Sequence, residues 1–120
     1  MSRHWWKQRE REAAAIIGGK RYPANQGGDV DCESEGFVCQ VKERRTLSLA
    51  ALERLATEIE RIGVQKSKRG PHRKLGLVMV KRSPGRGHGR TPWLIVMTEA
   101  VFKEMNGRHC YELQKGRASA

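Results

Sequence analysis

Leu75-Gly-Leu-Val-Met-Val80 is a run of six residues without a polar side chain, flanked by basic segments that carry glycine and proline. So short a run reads as a strand, and a strand that fails to alternate must be covered on both faces. Residues 93–97 (Trp-Leu-Ile-Val-Met) repeat the pattern. Together they are expected to form the centre of a sheet, which then needs helices above and below it.

The chain supplies those helices. In residues 46–63, Leu49, Leu52, Leu55, Ala56, Ile59 and Ile62 recur at three- and four-residue steps. Glu53, Arg54, Glu58 and Arg61 take the opposite side, so this is an amphipathic helix. Ser48 or Thr46 can cap its start, and Gly63 is expected to close it. Residues 7–17 are strong helix formers stopped by Gly18-Gly19. Residues 98–105 form a short helix started by Thr98. Between the first two helices, residues 29–33 and 37–43 flank Ser34-Glu35-Gly36 as a β-hairpin. Residues 20–28, 65–74 and 81–92 read as connections, the last two strongly basic. The expected fold is α/β, a mixed sheet of about four or five strands with flanking helices. A single domain over 1–113 and a flexible basic tail over 114–120 are expected.

Lys and Arg number 24 against 13 Asp and Glu, a net charge of +11. That surplus points to a polyanionic partner. No run approaches the ~20 apolar residues that cross a bilayer, and the one clearly amphipathic helix mixes acids with bases, so no membrane partner is expected. The N-terminus has no apolar leader, and the three Cys read as reduced thiols of a cytoplasmic chain.

Within this basic chain the only aspartates are Asp29 and Asp31, both in Gly27-Gly28-Asp29-Val30-Asp31-Cys32-Glu33. With Glu35-Gly36 central to the turn, Glu33 opposes Val38, Cys32 opposes Cys39 and Asp31 opposes Gln40. Alternation then gathers Asp29, Asp31, Glu33, Gln40 and Lys42 on one face, with Val30, Cys32, Phe37, Cys39 and Val41 on the other. Neighbouring carboxylates repel unless a cation joins them. Carboxylate and amide oxygens suit Mg²⁺, with Mn²⁺ as substitute. The plainer reading of the same face is a solvated hairpin surface with weak ion pairs.

Asp31, eight intervening residues, then Gln40-Val41-Lys42 resembles the signature of the PD-(D/E)XK nuclease superfamily. Glu10 in the first helix, the Gly18-Gly19-Lys20-Arg21-Tyr22-Pro23 connection and Lys42-Glu43-Arg44-Arg45 before the next helix are similar to its Holliday-junction-resolvase branch, including small phage-encoded nucleases. The resemblance spans roughly residues 5–105. It implies a restriction-endonuclease-like version of the mixed sheet, in which Asp31, Gln40 and the Val41 carbonyl hold the metal, with Asp29 as rival ligand. Lys42 would orient the attacking water or stabilise the phosphate, and Glu10 would complete the catalytic group. Two positions depart from the pattern: Gln40 stands where most members have Glu, as in Mrr-like enzymes, and Val30 replaces a proline.

The implied reaction is Mg²⁺-dependent hydrolysis of DNA phosphodiesters, in four-way junctions or other branched DNA, by a homodimer matching the junction's two-fold symmetry. Lys20, Arg21, Arg44, Arg45, Lys66, Lys68, Arg69, Arg73, Lys74, Lys81, Arg82, Arg86 and Arg90 are the expected backbone contacts. Two rivals stand beside this: a nuclease of the same fold acting on linear duplex, and a non-catalytic nucleic-acid-binding protein. Gly85-Arg-Gly-His-Gly89 lacks dinucleotide-fingerprint spacing and reads as a basic loop. Cys32, Cys39 and Cys110 with His109 lack metal-site spacing and read as structural thiols.

Overall fold

The computed structural model describes residues 5–22, 30–83 and 90–118. The elements run α1 (Trp5–Ile16), β1 (Lys20–Arg21), β2 (Cys32–Glu33), β3 (Phe37–Arg44), α2 (Leu49–Arg69), β4 (Leu75–Arg82), β5 (Trp93–Val96) and α3 (Glu99–Ala118). The five strands lie side by side in chain order, β1-β2-β3-β4-β5. Every neighbouring pair is antiparallel except β3 and β4, which run parallel with α2 as the crossover. The expected α/β class with a mixed five-stranded sheet is therefore what the chain forms.

β4 shows why its sequence does not alternate. Leu75, Leu77 and Met79 pack with Ala13 and Ala14 of α1, Cys32, Cys39 and Val101 of α3. Val78 and Val80 pack on the other side with Val30, Val38 and Ala56 and Ile59 of α2. Each such buried aliphatic contributes roughly 1.5–3 kcal/mol, which makes β4 the spine of both cores.

α1 stops where expected, with Gly18 at φ 69°. α2 starts at the Ser48 cap, whose hydroxyl accepts from the Ala51 N–H at 3.1 Å, and Thr98 caps α3 through the Val101 N–H at 3.2 Å.

Four expectations need correction. Gly63 does not end α2, which continues to Arg69. It is a buried packing notch: a Cβ there would lie 2.9 Å from the Lys74 carbonyl oxygen, and one on Gly76 would collide with the Ile59 carbonyl. The pair lets α2 sit directly on β4. Strand β5 is not central: it forms the sheet's edge, with Leu94 54% and Ile95 42% exposed. α3 runs through Met105 and the segment expected as a tail, on to Ala118. Among the described residues no helix is long and apolar enough to cross a membrane.

The fourth correction concerns the hairpin. Its register holds, with Cys32 opposite Cys39 and Glu33 opposite Val38. Beyond Cys32, however, the Asp31 N–H also donates to the Cys39 carbonyl, at 2.9 Å. Two residues thus face one, a β-bulge. The extra residue rotates Val30 to the α2 side, where it is 3% exposed, away from Cys32.

Candidate functional site

The bulge sets the position of Asp31. At this point β2 has ended and β3 continues, so Val41 has no strand partner on that side among the described residues. The Asp31 carboxylate takes the vacated place: Oδ2 accepts the Val41 N–H at 2.7 Å. In an extended strand the N–H and C=O of one residue point to the same side, so the Val41 carbonyl also faces the Asp31 edge.

Gln40 adjoins this contact. It is 8% exposed, and its Oε1 is a buried acceptor without a partner among the described residues. An acceptor left in that state costs about 1–3 kcal/mol, so the position asks for a cation or a donor. Lys42, two residues on, shares the face of Gln40, and both line a cleft between β3 and α2. Asp31 thus lies at the open edge of β3, one residue along from Gln40, while Gln40 and Lys42 face α2.

Glu10 approaches from α1. Burial raises its carboxyl above the ordinary 4.5, and the negative charge of Asp31 adds to the rise, against the hydrogen bond from Arg21. That bond, Arg21 Nε to Glu10 Oε1 at 2.8 Å, ties Glu10 to β1. Repulsion felt between Glu10 and Asp31 is what a divalent cation would relieve.

Glu33 is removed from the group. Its carboxylate accepts from the Tyr22 hydroxyl at 2.7 Å and pairs with Lys66 at 3.0 Å and Lys74 at 2.9 Å. Burial alone would raise its pKa, but these partners outweigh it and hold the carboxyl below 4.5. Glu33 therefore pins the hairpin to the end of α2. Nor is the polar hairpin face a solvated one, because α2 covers it.

The oxygen types that suit Mg²⁺ or Mn²⁺ are present, on the Asp31 carboxylate at the strand edge, Gln40 on the α2 face, the Val41 carbonyl, and Glu10 on α1 at the other face of the sheet. Among the described residues no three His, Cys, Asp or Glu side chains form a metal-binding group, so the amide and backbone oxygens would be essential members. Asp29, the rival ligand, lies outside the described residues, as does Arg86 with the rest of the 84–89 loop.

The expected DNA contacts divide. Arg21 is tied to Glu10, Lys66 and Lys74 to Glu33, and Arg73 to Glu104 through two bonds of 2.8 Å. Lys81 donates to the Thr91 carbonyl at 2.6 Å and lies over the Trp93 ring. These hold the fold together. Lys20, Arg44, Arg45, Lys68, Arg69, Arg82 and Arg90 are exposed. Cys32 and Cys39 are buried free thiols, and the Cys39 thiol is pushed up by its contact with Cys32 and by burial. Arg54, which sequence reasoning assigned only to a polar helix face, lines the same cleft as Gln40 and Lys42. An Arg four residues before a Glu on a helix carries no signal that would mark it.

Comparisons with family models, with curated proteins and with solved structures find no match. The functional reading rests on the chain's own residues.

Proposed function

We propose that this chain is a Mg²⁺-dependent, structure-specific endonuclease of PD-(D/E)XK type that hydrolyses phosphodiester bonds in branched DNA, four-way junctions among them. The observation that carries the reading is the buried, unpartnered Gln40 Oε1 one residue before Val41, whose N–H the Asp31 carboxylate accepts. A mixed sheet with flanking helices and a net charge of +11 support it.

Asp31, Gln40, the Val41 carbonyl and Glu10 would hold the metal. When bound, such an ion lowers the pKa of a coordinated water and offsets charge on the scissile phosphate. The chain's own residues do the rest. The Asp31–Val41 hydrogen bond fixes the carboxylate against β3. Arg21 holds Glu10 at the rim of the site. The Lys42 ammonium, on the face of Gln40, meets the negative charge that grows on the phosphate as its bond breaks. Nicking a junction symmetrically takes two such sites, hence a homodimer in this reading.

A second reading is favoured by one contact. The Asp31 carboxylate replaces a missing backbone acceptor for Val41, a structural task that a non-catalytic, nucleic-acid-binding protein would also need. Incubation of the protein with a labelled synthetic four-way junction and with matched linear duplex separates the readings. Strand cleavage of the junction with Mg²⁺ or Mn²⁺, abolished by EDTA and by Lys42→Met, is expected. Preferential cutting of the duplex would favour the linear-substrate rival, and binding with no cleavage under either ion would leave the non-catalytic one.

A further inference from the structure

The cleft that ends at Gln40 extends well beyond it, with a volume of about 400 Å³ between the second half of β3 and the outer turns of α2. Lys42 and Arg44 enter it from the strand and Arg54 from the helix, while Leu47 and Leu55 form apolar wall between them. The cations here are not among those that the fold pairs with acids. Arg9, Arg21, Lys66, Arg73, Lys74 and Lys103 are each matched to a carboxylate. Lys42, Arg44 and Arg54 have no carboxylate partner among the described residues, the Arg44 guanidinium reaching only the Glu43 carbonyl. One acid lines the cleft, Glu58, and it is paired with Arg61 outside it. The cleft is therefore a cationic channel with an apolar wall and the largely buried Gln40 at one end.

We infer that this cleft seats an unpaired nucleic-acid strand, whose phosphates are held by Arg54 of α2 together with Lys42 and Arg44, and whose sugar and base edges lie on Leu47 and Leu55. The ligand's chemistry rests on the nuclease reading above; the strand's being unpaired rests on the cleft. A phosphate within an intact duplex meets a protein across its outer surface. A cleft of about 400 Å³ between one strand and one helix has room for a nucleotide extruded from a helix or already single-stranded, and not for a base-paired duplex. Cationic grooves that track one backbone are how unpaired strands are bound. The selectivity for branched DNA then follows from the unpaired nucleotides at branch points, with no base-reading element required.

The test measures binding in EDTA, which keeps it independent of cleavage. A fluorescently labelled single-stranded DNA oligonucleotide and its duplex are titrated with wild type, Arg54→Ala, Arg54→Lys and Lys103→Ala across a salt series. Arg54 and Lys103 are both exposed, so both variants should fold. Arg54→Ala should weaken single-strand binding about three- to tenfold and flatten the log–log salt slope by about 0.7, the value for one lost single-strand phosphate contact. Arg54→Lys should restore most of the affinity, and Lys103→Ala should match wild type. An Arg54→Ala protein that binds the single strand as wild type does, or that loses duplex and single-strand affinity equally, overturns the inference. Wild type that never cleaves with Mg²⁺, in a series where Arg54→Ala still loses single-strand affinity selectively, defeats the nuclease reading and supports the cleft as a strand-binding site.

Discussion

Replacing Gln40 by methionine should stabilise the metal-free protein while removing its activity. Gln40 is 8% exposed, and its Oε1 is buried without a partner. A buried acceptor in that state costs about 1–3 kcal/mol relative to a hydrogen-bonded one. Methionine has nearly the same length and volume, carries no group that demands a hydrogen bond, and adapts to irregular packing. Allowing for imperfect packing, the expected gain is about 1 kcal/mol at the lower end of that range, or about 3–6 °C in Tm for a domain of this size. Thermal and urea unfolding in EDTA reads it directly. Divalent ions should reverse the ranking. At ten times its Kd, Mg²⁺ stabilises wild type by about 1.4 kcal/mol, whereas Gln40→Met, short of one ligand, should gain much less. A variant that loses about 1 kcal/mol or more in EDTA would refute the reasoning, because it would mean that the amide oxygen has a protein partner.

The contact between Asp31 and Val41 makes a paired prediction: Asp31→Asn keeps an acceptor for the Val41 N–H and should fold with near-normal stability, whereas Asp31→Ala orphans that donor and should cost about 1–3 kcal/mol by urea unfolding. Both should abolish metal-dependent cleavage. Lys42→Met should bind the junction several-fold more weakly in EDTA, through one lost phosphate contact, and should lose cleavage altogether even at saturating protein, as gel-shift and nicking assays on the same junction would show. Because Glu33 is held below 4.5 by Lys74, Tyr22 and Lys66, its contribution to stability is fully present above pH 4.5 and is lost as pH falls through its lower folded-state value; Glu33→Gln should flatten the acid limb of a stability–pH curve. Gly76→Ala, which drives a methyl group into the Ile59 carbonyl, should destabilise by about 3 kcal/mol in thermal unfolding.

Much of the frame was readable because local chemistry and tertiary demand agree there. The unbroken apolar run of β4 encodes burial on two faces, Ser48 and Thr98 encode helix starts, and the two-residue turn encodes the pairing of Cys32 with Cys39. The failures fall where one residue type serves two purposes. Glycine at position 63 has the signature of a helix stop, yet its missing Cβ is needed against Lys74, which no periodicity reveals. β5 has the composition of a central strand but nothing pairs beyond it, and edge position depends on the whole topology. The bulge at Asp31 breaks the alternation that placed Val30 with Cys32. At the site, the shared face of Gln40 and Lys42 was legible from alternation, whereas hairpin register set Asp31 opposite Gln40 and the bulge brings it to Val41 instead. The tie between Glu10 and Arg21 and the entry of Arg54 into the cleft were not legible, since both depend on how helices settle on the sheet.

The account stands on a divalent ion between the Asp31 carboxylate and Gln40 Oε1. Anomalous diffraction from crystals grown with Mn²⁺ tests it most directly. A peak bridging those two groups, with the Lys42 ammonium on the same side, is the predicted result. A map with no peak there, and with Gln40 Oε1 taking a hydrogen bond from a protein donor instead, would contradict it.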